Sequence, residues 1–234
     1  MSAPLGNGFP QPPIRVAALA TFGLLLLLVT ASGCVNTLAI ASKVFMGDPK
    51  QPSAFRAVTG ESLEDSEKTV LLYCSAPLII SDEFGSLSAD LQEELIQRMR
   101  RHKVNVLPPD AGTNVIDRIG RFDADAIGHE LKHVDYIMHV KLDGFTLTEP
   151  NSPDLRRSRA QGTITGYVVE KDDDGQRTVI QLFEHNFGTE YPVSHPIPTE
   201  QMSENVFRRR SVDFLADSLG ATFYDVSLNS LFAR

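Results

Sequence analysis

Apolar positions fall along this chain in distinct rhythms. An unbroken run, Val16–Val29, comes first, followed by the small residues Thr30, Ala31, Ser32 and Gly33 and then Cys34. From Thr69 onward, short apolar runs alternate with stretches in which apolar side chains recur at helical spacing. TVLLYCS, from Thr69 to Ser75, is continuously apolar, the pattern of a strand covered on both faces. Leu87, Leu91, Leu95 and Met99 then recur every four residues behind Ser86 or Ser88, which predicts a capped helix with one apolar stripe. Asp90 in its first turn and Arg98, Arg100 and Arg101 in its last suit the helix dipole. Lys103–Leu107 reads as a second strand, stopped by Pro108-Pro109, so strand, helix and strand make a βαβ unit with a parallel pair.

A second helical passage is expected over Thr113–Ile119 and Asp123–His133, divided by Gly120. Its exit is a long strand, Asp135–Leu147. Two further strands, Gly162–Glu170 and Arg177–Phe187, flank the turn KDDDGQ, where Asp174-Gly175 is a hairpin signal. The last helix runs from about Glu200 to Phe223, with Phe207, Phe214, Leu215 and Leu219 on its apolar face. The order β-α-β-α-β-β-β-α predicts an α/β (α+β) sandwich: a mixed sheet of about five strands with helices packed mainly on one face.

Between the first run and Thr69 the rhythm breaks down. Val35–Glu67 holds a short apolar patch (Leu38, Ile40, Val44, Phe45, Met46), then GDPKQPS and the polar GESLEDSEK, a composition that favours an extended tether. Three parts follow: residues 1–33 as a signal peptide, 34–68 as tether, and 69–234 as the globular domain.

Arg15, the apolar run and the small residues behind it have the layout of a secretory signal peptide. Ala31-Ser32-Gly33-Cys34 resembles the lipobox of bacterial lipoproteins, in which the chain is cut before a cysteine that becomes diacylglycerated, a palmitate-type anchor. Ala31 departs from that pattern, which usually has leucine there. The resemblance makes Cys34 the lipidation site and the membrane a partner through it. A second reading stays open, because no charge falls between Val16 and Ser42 and about 20 apolar residues suffice to cross a bilayer uncleaved.

Charge and cysteine content narrow the function. The net charge of −8 argues against wholesale nucleic-acid binding. With Cys34 lipidated, Cys74 is the one remaining thiol, which excludes a disulfide within the chain; inside an apolar run it acts as a small hydrophobe. Glu170, Asp172, Asp174 and Gly175 mimic the start of a calcium loop, but Gln181 stands where a bidentate glutamate is needed, so the segment reads as a turn. Arg208-Arg209-Arg210 reads as the solvated face of a helix.

One motif points towards catalysis. His129-Glu130-Leu131-Lys132-His133 is a literal H-E-x-x-H, which on a helix sets two imidazoles one turn apart as zinc ligands, with the glutamate as base for a metal-bound water. Three facts oppose it. Lys132 sets a cation beside the site, the helix is expected to end at His133, and Glu184, His185, Glu190 and His195 offer no third-ligand motif. No metal, cofactor or catalytic residue is therefore expected. The alternative is a membrane-anchored zinc-dependent hydrolase using His129 and His133 with Glu130 as base.

The stretch Glu130–Val140, ELKHVDYIMHV, resembles the junction of helix end, Ala-Asp-Tyr and strand in envelope proteins related to the TolB amino-terminal domain. That group includes LpoB-type activators of penicillin-binding proteins and CsgG-type curli-secretion lipoproteins. Asp135-Tyr136 carries the resemblance, while Val134 replaces the usual alanine and His139 stands near a common glycine. It covers roughly Thr69–Phe223 and implies a lipid-tethered, non-enzymatic module that binds an envelope protein of unknown identity. Val35 after the cysteine is not the aspartate that retains many lipoproteins in the inner membrane, so the resemblance implies a periplasm-facing domain on the outer membrane.

Overall fold

The computed structural model describes residues 50–227. The segment read as signal peptide, Cys34 and the apolar patch after it lie outside the described residues. Among the described residues, no helix is long and apolar enough to cross a membrane.

The sheet grows from β2 (Val70–Ser75), whose odd and even residues face opposite ways and are both covered. It pairs in parallel with β3 (Tyr136–Glu149), from Val70 opposite Tyr136 to Ser75 opposite Lys141. Antiparallel partners follow in order: β4 (Ser152–Lys171), β5 (Arg177–Tyr191), and a short β6 (Ile197–Pro198) beside the start of β4. The result is the predicted mixed sheet of five strands. The β4–β5 hairpin turns where Asp174-Gly175 predicts it: Gly175 has φ +77°, and the Asp172 carboxylate accepts from the Gln176 amide at 2.6 Å.

The larger core lies on the face carrying Val70, Leu72 and Cys74, beneath α3 (Leu87–Arg101) and α6 (Glu204–Gly220). Leu87, Leu91, Leu95 and Met99 are at most 1% exposed, so the predicted stripe is the helix's buried face. At about 1.5–3 kcal/mol for each large apolar side chain removed from water, this stripe is a main source of cohesion between helix and sheet. Arg98 leaves the same helix sideways and joins Glu94 to Asp213 and Asp217 of α6. In α6, Phe207, Leu215 and Leu219 are buried as expected, with Phe214 half-buried against Tyr191.

The opposite face is covered at one end only. There α4 (Pro109–Ile119) and α5 (Ala124–Glu130) lay Val115, Ile116 and Ile127 over Leu71, Ile137 and Val169. Gly128 lets α5 close in, since a Cβ there would meet a Val179 methyl at 2.4 Å.

Several expectations are corrected. Lys103–Leu107 does not form the parallel neighbour of β2: Lys103 turns at φ +59°, and the segment makes only isolated bridges, Glu64 to Val104 and Val70 to Val106. Its buried valines mimic a strand, but Pro108-Pro109 cut it short, and Pro109 opens α4 four residues before the predicted start, as proline at a first helical position does. The helix expected over Leu87–Met99 is preceded by another, α2 (Leu78–Phe84).

Part of the stretch whose composition reads as tether is ordered: Ser53 caps a short helix, α1 (Ala54–Thr59), that buries Phe55 completely. Phe55 meets the Tyr136 ring edge-on at 5.0 Å, and Leu63 is 1% exposed, so two apolar anchors override a composition that reads as linker. Asp225 accepts the Ser53 amide at 2.9 Å and pairs with Arg56 at 2.7 Å. Next to this clamp, β1 (Lys50–Gln51) pairs antiparallel with β7 (Val226–Ser227).

Candidate functional site

The H-E-x-x-H motif does not form the helical turn that a zinc pair needs. α5 stops at Glu130, where Leu131 leaves the helical region with ψ +84°, and His133 stands in the turn beyond. Both histidines are exposed, and the Glu130 carboxylate is held by the Arg118 guanidinium rather than left free as a base. The helix ends early because Val134 is buried and the chain enters β3 at Tyr136. Among the described residues, no three of His, Cys, Asp and Glu gather as metal ligands.

Asp135 and Tyr136, which carry the family resemblance, are joints of the fold. The Asp135 carboxylate accepts the Thr69 amide at 2.8 Å, and the Asp135 and Tyr136 amides both donate to the Thr69 carbonyl, fixing the start of β3 against β2. The Tyr136 hydroxyl donates to Glu61 at 2.8 Å; burial, with this carboxylate beside it, pushes the phenol up to about 12.

The strongest chemical grouping is one that sequence reasoning missed. Beside the link between α4 and α5, Tyr73 and Ser75 of β2 stand next to His139 of β3. Ser75 Oγ and His139 Nε2 are 2.8 Å apart. The imidazole stacks on Phe122 at 3.8 Å and lies near-parallel to the Tyr73 ring at 5.8 Å. Burial first, and the charge of Lys141 second, lower the His139 pKa to about 4, so the ring is neutral at pH 7. Burial likewise raises the Tyr73 phenol, with Asp117 adding to it. A neutral imidazole on a serine hydroxyl is the first half of a nucleophile and base pair. No orienting carboxylate on the ring's other nitrogen is found among the described residues, so the pair lacks the third member of a hydrolytic triad. The signal was available in the alternation of β3, which puts His139 on the Ile137 face between Met138 and Val140 of the core face.

Cys74 is buried and its thiol pushed far up by burial, the inert state expected of it.

No family model and no curated protein matches the chain. Solved structures align with it at low scores. A PelC dodecamer from Paraburkholderia phytofirmans aligns at TM-score 0.37 with 8% identity, covering 75% of this chain and 96% of that one. The hypothetical protein CT253 from Chlamydia trachomatis aligns at 0.39 with 10% identity, covering 67% and 98%. Lipoprotein GNA1162 from Neisseria meningitidis aligns at 0.35 with 7% identity, covering 65% and 97%. At these scores and identities the likenesses carry no argument about this chain.

Proposed function

We propose that this chain is a lipid-anchored protein of the bacterial envelope that works without catalysis, holding a partner protein at the membrane surface. The observation that carries the reading is the sequence Ala31-Ser32-Gly33-Cys34 at the end of the apolar run Val16–Val29, with Cys34 as the acylated residue. The class of partner, an envelope protein of wall synthesis, secretion or outer-membrane assembly, follows the resemblance at Asp135-Tyr136, and Val35 favours the outer membrane.

One surface feature supports a protein partner. Leu78 and Ile79, at the start of α2, are 81% and 75% exposed, while Ile80 beside them is buried. Two adjacent large aliphatic side chains at a helix start are suited to a pocket on another protein, where each contributes about 1.5–3 kcal/mol when fully buried.

Two measurements test the reading. The intact mass of the mature chain from membrane fractions should show a start at Cys34 with a diacylglyceryl adduct; a chain that retains Met1–Gly33 without adduct refutes the anchor. Crosslinking in cells should capture an envelope protein that a Leu78→Asp/Ile79→Asp variant loses at unchanged abundance. Equal capture by both chains would remove this surface from the reading.

A further inference from the structure

The end of α5 and the β4–β5 hairpin line an open cavity of about 470 Å³, within the size range of small-molecule sites. Lys132, Lys171 and Arg177 bring three permanent positive charges to its walls, with His129 beside them and Asp174 as the one carboxylate in the lining. Arg177 is the unusual member. It is about nine-tenths buried, and its Nη2 donates to the Val134 carbonyl. Its Nε and Nη1 are buried without an acceptor, and no carboxylate among the described residues pairs with it. A buried guanidinium without a counter-charge is strongly disfavoured unless an anion is supplied from elsewhere.

We propose that this cavity binds the phosphate group of a small molecule, with Arg177 as the buried counter-charge and Lys132 and Lys171 closing over the oxygens. The Arg177 guanidinium contributes fixed positive charge from within the cavity wall, and the two lysines, whose stems are exposed and adjustable, supply the direct donors to a dianion. The cavity leaves room beside the phosphate for an organic part. Asp172 and Asp173 beside Asp174 put negative charge on the hairpin turn at this site. They disfavour an extended polyanion such as nucleic acid, while one phosphate inserted between the lysines still meets three cations. The site shares no residue with the lipid anchor or with the Leu78–Ile79 surface, so it stands or falls apart from the proposed function.

The test is calorimetric titration of the full-length chain in maltoside micelles with sodium phosphate, against sodium chloride at matched ionic strength. Wild type should bind phosphate saturably and gain thermal stability that chloride does not give. A Lys132→Gln/Lys171→Gln variant should keep the unliganded Tm and lose affinity at least tenfold, and Arg177→Met should lose binding altogether. The lysine variant keeps the test decisive if Arg177→Met fails to fold. Absence of saturable phosphate binding, or unchanged affinity in the lysine variant, overturns the proposal. Glucose 6-phosphate and dihexanoyl phosphatidate then separate the sources: tighter binding of the first assigns a soluble ester, and of the second a lipid headgroup.

Discussion

His139 makes the stability of this fold depend on pH in a defined window. Folded, its pKa is lowered from 6.5 to about 4 by burial and by Lys141; unfolded, it returns to the ordinary value. Between those two values the unfolded chain takes up a proton that the folded chain refuses, so stability is complete above pH 6.5 and is lost as pH falls towards 4. For these two pKa values the linkage relation gives a loss of about 2 kcal/mol between pH 7.5 and pH 5, levelling near 3 kcal/mol below pH 4. The direct comparison is His139→Gln, which retains a hydrogen-bond partner for Ser75 but cannot titrate. Urea unfolding should be followed by far-ultraviolet circular dichroism, since the chain has no tryptophan. Wild type should lose about 2 kcal/mol more than the variant over that pH interval. Parallel pH profiles for the two chains, or an imidazole that titrates by NMR near 6.5 in the folded protein, would refute the argument.

The remaining predictions concern packing and charge. Arg98 is 6% exposed, and its hydrogen bonds to Asp217, Asp213 and Glu94 outweigh burial in holding its pKa above that of ordinary arginine. Arg98→Met should cost about 2–4 kcal/mol in urea unfolding, because it leaves three carboxylates facing one another; part of that loss should return in 1 M salt. Asp217→Asn, on a side chain 42% exposed, should cost under about 1 kcal/mol, and an equal cost for both variants would contradict this division. Gly128→Ala should destabilise by about 1–3 kcal/mol through the 2.4 Å approach to Val179, and Val179→Ala should recover part of it. Additive costs in the double variant would place the strain elsewhere.

Elements whose own residues fill the core were legible in the sequence; elements held by polar or distant partners were not. The α3 stripe and β2 declare themselves because their periodicity is their packing. β4 begins at Ser152, ten residues before the expected Gly162, because its first half is held by ion pairs of Arg157 and Arg159 with Glu149 and Glu190, in a stretch without apolar alternation. α1 escaped notice because a single residue, Phe55, docks it, and the Asp225 that fixes its cap lies 172 positions away from Ser53. The H-E-x-x-H was visible as letters, but its histidines are separated by a helix end whose position depends on Val134 being buried. Ser75 and His139 were half legible: the alternation of β3 sets His139 on the Ile137 face, but only the parallel register of β2 with β3 brings Ser75 to it, and in the sequence Lys103–Leu107 reads as the neighbour of β2.

The residues that carry the sequence resemblance and the residues available for chemistry are different sets. Asp135 and Tyr136 are consumed in holding β3 to Thr69 and Glu61. A chain needing this joint would keep the pair whatever it binds, so the resemblance speaks to fold and leaves function to other surfaces. Those surfaces differ in physical character. Leu78 and Ile79 are apolar and fully reachable, suited to burial against a protein, whereas Arg177 is charged, enclosed and short of a counter-charge. Added salt should therefore weaken ligand binding at the cavity, by screening its charges, and leave capture through Leu78–Ile79 nearly unchanged. If one salt series removed both activities together, the separation of the two surfaces would be wrong, and the hairpin cations would belong to the partner interface.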